Sequence, residues 1–390
     1  MNKILFVIPA FKHGGTNKSL ANTLSFLNNH FDIYIMALSH LGPYKELFYE
    51  EGKVLEEDNK LSFLYDSYDD SECKKNRYIH LSIIIIKKMF RKIFKLLIGK
   101  KGIDKILKSS IKKIEKMNFD TIIAMQEGEV TNFVSKISGK KVAWVRSDYE
   151  EYYRIVGEDE SLIYEKYKSI ICVSEYTKKV FVSKYPQFLN KCYGVHNMID
   201  YKEIIQMSTK DICDKNLFKD KKFVMVSVGR LSRVKQFHLI PSIAKQLKEG
   251  GMKFAWYIIG DGKEKSTIHK LIEHCNVVDE VILLGARNNP YPYIKLSNLV
   301  VVTSLSEACP NIINEGKILH VPVLTTNFGS AKEFIDNGVN GVITNEQDIV
   351  RDIAKLIRDD MFYSLIKSNI SNFIYLNDEI VDKILSIINS

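Results

Sequence analysis

Short apolar runs recur along the chain, each followed by residues with helical spacing. In the first half these runs are 4–9, 33–38, 121–125, 142–146, 170–174 and 195–198. They are rich in Val and Ile and lack polar alternation, which predicts strands buried on both faces of a parallel sheet. Residues 17–29 and 175–184 read as helices between them. The polar stretch 202–222 carries no strand signal and marks a domain boundary. The pattern then restarts at 223–228, 254–259, 281–284, 299–303 and 323–326, with helices at 238–249 and 263–275. The alternation predicts an α/β chain of two doubly wound parallel-sheet domains, residues 1–201 and 202–390, facing each other across a cleft. The last helix, about 370–390, can pack back on the first domain.

Composition removes several classes. The chain has 390 residues, 45% hydrophobic and 26% charged. That balance excludes a disordered chain, a collagen-like fibre and a coiled coil. The six cysteines, Cys73, Cys172, Cys192, Cys213, Cys275 and Cys309, show no C-x-x-C and no paired spacing. A disulfide framework or structural zinc site is therefore not expected, and a reducing cytosol fits best. The N-terminus reads as a strand and loop rather than a signal peptide. No run reaches the roughly 18 to 20 uncharged apolar residues that span a bilayer. A soluble chain, at most peripheral on the inner face of the cytoplasmic membrane, is expected.

The charge is uneven. Residues 74–116 hold fifteen Lys and Arg against Asp104 and Glu115, a net +13, which leaves −4 for the rest of a chain of net charge +9. Within this segment Met89, Phe90, Ile93, Phe94 and Leu97 fall on one helical stripe, with Lys87, Lys88, Arg91, Lys92 and Lys95 opposite. Such a basic amphipathic helix suits an anionic membrane surface. A domain helix with a solvated basic face gives the same pattern. Nucleic acid is the poorest partner, because no DNA- or RNA-binding module accompanies the charge.

Four loops at predicted strand ends carry candidate chemistry. Gly14-Gly15 opens a helix after the first strand, where backbone N–H groups can meet an anion. Gly229-Arg230-Leu231 and Lys235 follow the first strand of the second half, and two cations there can clamp a diphosphate. Gly260-Asp261-Gly262 reads as a tight turn. In the fourth loop Ser306-Glu307 precedes Pro310, which suits the first turn of a helix carrying Glu315. Two carboxylates bracketing a helix start can hold sugar hydroxyls, a ribose and a phosphate. Solvated cations, a capping Glu307 and a surface Glu315 remain the plainer alternatives.

In this order the motifs resemble the family 4 retaining glycosyltransferases of GT-B fold. They run G-R-L-x3-K, G-D-G, the Glu307-x7-Glu315 pair, Pro322-Val323, and Glu333 before Asn340-Gly341. Val173-Ser174 before a helix matches as well. The resemblance covers most of the chain and is strongest over 224–342. It implies transfer of a hexose or N-acetylhexosamine from a nucleotide-diphosphate sugar, uridine diphosphate by preference, with no metal or other cofactor. The acceptor would be a glycan, polyprenyl-diphosphate-linked, in capsule, O-antigen or related surface-polysaccharide synthesis.

The same resemblance implies residue roles. Arg230 and Lys235, with Gly229, hold the diphosphate. Glu307 lies by the donor sugar near the backbone of Ala308, Pro310, Asn311 and Ile312. Glu315 takes the ribose, and Gly15 lets its loop approach the donor. Ala308 and Cys309 stand where relatives have glycine and an aromatic, which alters the sugar pocket. Arg146 stands where many relatives have histidine, and arginine cannot accept a proton at neutral pH. Asp148 is then an acceptor-side candidate, or else a helix cap. A catalytically silent partner subunit and a nucleotide-sugar epimerase are the rival readings. A dinucleotide-dependent dehydrogenase is poorer, since no G-x-G-x-x-G follows the first strand.

Overall fold

The computed structural model describes residues 1–11, 15–42, 44–66, 77–212, 214–218 and 223–390. Lys12, His13 and Gly14 of the first turn, Cys73, Lys74, Lys75 and Cys213 lie outside them. The chain divides into two compact units, Met1–Met198 with Asp378–Ser390, and Ile199–Asn377.

The first unit is built on a sheet of seven strands: β1 Asn2–Ala10, β2 Phe31–Ser39, β3 Lys53–Val54, β4 Thr121–Ala124, β5 Lys141–Val145, β6 Ser169–Cys172 and β7 Cys192–Gly194. Their order is β3-β2-β1-β4-β5-β6-β7, and every pairing is parallel. The second unit has six: β8 Val224–Val228, β9 Ala255–Ile259, β10 Val281–Gly285, β11 Leu299–Val302, β12 Val323–Thr326 and β13 Val342–Thr344. Their order is β10-β9-β8-β11-β12-β13, again all parallel. Both sheets are doubly wound, as the βα alternation predicts. In each, the winding reverses beside the unit's first strand, between β1 and β4 and between β8 and β11. In sheets of this kind the place where ligands bind is the carboxyl ends of the strands at that reversal.

The apolar runs fill these sheets. Ile4 to Ile8 of β1 and Ala255 to Ile259 of β9 are buried throughout, as strands covered on both faces must be. The edge strands β3 and β13 escape the sequence reading, because two or three residues make too short a run to register. The run 195–198 is a correction of another kind. The ladder pairs Ile170 with Cys192 and Cys172 with Gly194. It closes with the Val195 N–H on the Cys172 carbonyl, because β6 ends there and its chain turns into the helix Glu175–Lys184. Val195 and Met198 are buried all the same; hydrophobicity reported burial, not pairing.

The polar stretch after residue 201 begins with a helix, Tyr201–Ser208, whose N-cap Asp200 accepts the Glu203 N–H. The final helix, Asn377–Asn389, has most of its length in the first unit, where the Lys140 ammonium donates to the Ile388 carbonyl at 2.7 Å. In the basic segment the helix Arg77–Glu115 is broken at Gly99, whose φ of 59° and ψ of −175° are not helical. Of the expected apolar stripe, Phe94 packs edge-on against Phe63 at 5.0 Å, while Met89, Phe90, Ile93 and Leu97 face solvent.

A buried cation fixes one helix of the second unit. Lys317, on the helix Asn311–Ile318, is 5% exposed and donates to the Phe334 carbonyl at 2.8 Å. Its ammonium lies 4.4 Å from the centre of the Phe373 ring. Burial pushes its pKa down to about 8. Above that pH the folded chain releases this proton, while an unfolded lysine keeps it to about 10.4. The unfolded state then binds more protons, so this group makes stability rise with pH across that window. Relative to Lys317→Met, the wild type should gain up to about 3 kcal/mol between pH 7 and pH 10.5. Denaturant melts of both proteins at the two pH values measure the difference.

Candidate active site

Two loops leave the second sheet beside its winding reversal. The first follows β8. Gly229 donates to the Ile259 carbonyl at 2.9 Å and Leu231 to the Asp261 carbonyl at 3.0 Å, so the loop is laced to the turn after β9. That turn is the Gly260-Asp261-Gly262 motif, and close approach is why it needs its glycines. A Cβ on Gly260 would stand 1.8 Å from the Gly229 carbonyl oxygen, and one on Gly262 would stand 2.3 Å from that of Leu231. The buried Leu231 holds the loop down. Arg230 is exposed beside it, and a short 3-10 turn, Arg233–Lys235, ends the loop.

The second loop follows β11. Thr303 donates to the Lys235 carbonyl at 2.7 Å, and the Leu305 N–H to the Val234 carbonyl at 2.8 Å, so the two loops are stitched together. Across that seam the Lys235 ammonium donates to Glu307 Oε1, and the Ser304 hydroxyl reaches the same oxygen at 2.6 Å. The Glu307 side chain is 14% exposed and that of Lys235 26%. The Ser330 hydroxyl fixes the Glu307 carbonyl at 2.8 Å. A half-buried ion pair gains more from attraction than an exposed one, because less water screens it.

The helix Asn311–Ile318 begins four residues beyond Glu307, and Pro310 is its N-cap rather than part of its first turn. Ala308 and Ile312 are buried, while Asn311 is partly exposed. Glu315, the fifth residue of the helix, accepts from the Tyr291 hydroxyl at 3.4 Å. Burial foremost, then the nearby carboxylates of Glu315 and Glu203, pushes the Tyr291 pKa up and keeps it a neutral donor. The structure thus joins Lys235 to Glu307 directly. It leaves Arg230 at the other end of the same loop, and sets Glu315 against a tyrosine that the sequence reading did not single out.

In the first unit Gly15 opens the helix Gly15–Leu27. Arg146 follows β5, and its guanidinium donates to Ser19 Oγ at 2.8 Å and Asn197 Oδ1 at 3.0 Å. Its backbone N–H meets Glu127 Oε2 at 2.8 Å, and the Ser147 hydroxyl donates to the other oxygen of that carboxylate. Glu127 is 4% exposed. Sequence reasoning missed Ser19, Glu127 and Asn197, which come from three elements far apart in the chain. Asp148 caps the helix Tyr149–Val156 by accepting the Glu150 N–H at 3.1 Å.

Residues 208–372 match the family model described as glycosyl transferases group 1. Over those residues, most of the second unit, the chain is similar to the group 1 glycosyltransferases. An uncharacterised glycosyltransferase of Methanocaldococcus jannaschii is 34% identical over 207 residues, 50% of each chain. A second relative spans more. It is the Campylobacter jejuni N-acetylgalactosamine-N,N'-diacetylbacillosaminyl-diphospho-undecaprenol 4-alpha-N-acetylgalactosaminyltransferase, 24% identical over 367 residues, 92% of this chain and 91% of that one. Among solved structures, Anabaena HepE in complex with UDP and glucose superposes with a TM-score of 0.77 at 17% identity, over 100% of both chains. With the two doubly wound sheets, that likeness shows the GT-B fold that the motifs implied.

In the second unit the loop after β8 and the turn after β9 depend on each other through Gly260. Gly260→Ala should cost more than about 3 kcal/mol, because backbone rather than a flexible side chain stands in the way. Urea unfolding measures the loss. A variant as stable as wild type would show that the loops need not touch.

Proposed function

We propose that the chain is a retaining glycosyltransferase acting in the synthesis of a capsule, O-antigen or related surface polysaccharide. It moves a hexose or N-acetylhexosamine from a uridine diphosphate sugar to a glycan carried on polyprenyl diphosphate, at the cytoplasmic side of a membrane. The observation that carries the reading is the Lys235–Glu307–Ser304 cluster at the winding reversal of the second sheet, with Glu315 eight residues beyond Glu307. The names of two relatives support the lipid-linked acceptor: the C. jejuni enzyme, and an Escherichia coli galactosyltransferase for alpha-D-GlcNAc-diphosphoundecaprenol.

The chemistry follows from charge. A departing nucleoside diphosphate gains negative charge as the glycosidic bond breaks, and cations fixed beforehand stabilise it most. Lys235 is such a cation, held by Glu307 until a diphosphate competes for it. Arg230 offers a planar fork from the same loop, and the helix start at Asn311 adds backbone N–H groups. On this reading the protein neutralises the charge without a metal. Arg146 is no proton acceptor, so the acceptor hydroxyl gives its proton to the donor's own phosphate oxygen as it attacks the face the leaving group departs from. Glu307 orients the sugar and Lys235, and Glu315 holds the ribose.

The roles separate kinetically. Lys235→Ala should lower kcat/KM by roughly tenfold to a hundredfold, as loss of one charge-assisted contact worth about 1.5–3 kcal/mol requires. Glu307→Gln should lower kcat, and Glu315→Ala should chiefly raise the donor KM. Steady-state assays of UDP release across the three variants check this. NMR of the product should show the donor's anomeric configuration kept; an inverted anomer would sink the retaining mechanism. A sugar found on Glu307 by intact-mass spectrometry would replace same-face attack with a covalent intermediate.

A further inference from the structure

The helix Arg77–Glu115 changes character at Gly99. Beyond it, Leu107, Ile111 and Ile114 are all under 9% exposed and belong to the first unit's core. Ser110 and Lys113 hold Asp58, at 2.8 and 3.2 Å, and Asp58 is itself the N-cap of the helix Asn59–Tyr65. This half is anchored. Before Gly99 most of the described apolar side chains are exposed. Leu96 is 81% exposed and Leu97 78%; Ile85, Ile86, Met89, Phe90 and Ile93 are all about half exposed or more. At 100° per residue these seven fall within an arc about 140° wide. Phe94, beyond the arc's edge, packs on Phe63.

A contiguous apolar stripe this wide marks an interaction surface. Charge names the partner. From residue 77 to 103 the chain has eight Lys and Arg and no Asp or Glu, and Lys92, Lys100 and Lys101 are exposed. A protein partner would have to match a purely cationic rim. An anionic bilayer offers headgroup charge for the rim and acyl chains for the stripe at once. No helix of the described residues is long and apolar enough to cross a membrane.

Resting on the reading above of a lipid-carried acceptor, we propose that residues 85–97 insert their apolar stripe into the headgroup–acyl boundary of an anionic membrane. The half after Gly99 is the bracket that fixes this blade to the first unit. Gly99 supplies the break, at a φ of 59° and ψ of −175° that side-chain-bearing residues avoid. The membrane contact is then insertion as well as attraction. High salt weakens the charge part and spares the apolar part.

Vesicles of phosphatidylcholine, with and without phosphatidylglycerol, test this on the full chain. Wild type should float with the anionic vesicles at low salt and keep a measurable bound fraction in 1 M NaCl. The double variant Leu96→Asp/Leu97→Asp should lose at least about tenfold in partitioning at low salt, with its melting temperature unchanged because both residues are exposed. Lys100→Glu/Lys101→Glu should reduce low-salt binding and leave the high-salt residue. The proposal falls if the leucine variant binds like wild type. It falls too if light scattering shows a lipid-free dimer that this variant dissolves, since a second copy would then own the stripe. UDP release without vesicles reports the donor site alone and should not change in either variant. Its absence from wild type would count against the transferase reading and leave the vesicle result to decide this one.

Discussion

Reversal of winding beside the first strand of a parallel sheet is the constraint around which both units of this structure are built. Right-handed crossovers send the chain after β8 and after β11 to opposite faces of the second sheet, and the loops leaving those two strands meet at a seam before they part. Lys235 ends one loop and Glu307 sits in the other, 72 residues apart in sequence and bonded across the seam. The tie is electrostatic, but hydrogen bonds to the first loop's backbone fix its geometry: the Thr303 hydroxyl on the Lys235 carbonyl and the Leu305 N–H on that of Val234. A cation and a carboxylate held this way need little rearrangement to meet a ligand's charge.

The first unit applies the same topology to a different side-chain set. Its own reversal, between β1 and β4, has the helix Gly15–Leu27 on one side and Glu127 beyond the other strand. Arg146, after the neighbouring β5, is braced by Ser19, Asn197 and the backbone bond to Glu127. An arginine so held is a fixed positive charge, not a base, which restricts what this chain can do with a proton at that place.

The basic segment shows how one helix can meet opposite demands. Its sequence is amphipathic along its length, yet its two halves turn their apolar residues toward different surroundings. One glycine in a conformation other residues avoid makes the change. Charge is what the halves share: both carry lysines on whatever faces water.

Most of the two sheets could be read from the chain, because a strand buried on both faces is apolar almost throughout, as β9, β11 and Ile4 to Ile8 of β1 are. The glycines, cations and carboxylates of the second unit were also legible, since strand-end loops collect such residues at short fixed spacings. The two- and three-residue edge strands were not, because so short a pairing leaves no periodic mark. Nor were Ser19, Glu127, Asn197 and Tyr291, ordinary residues whose place is set by distant segments. Whether an apolar helix stripe faces a core or solvent was likewise invisible, since hydrophobic spacing is the same in both cases. Sequence determined which groups were available and which runs had to be buried, because those follow from local chemistry. Only the tertiary structure decided that Lys235 would bond Glu307 and that Leu96 would face water, because both depend on where chain segments far apart come to rest.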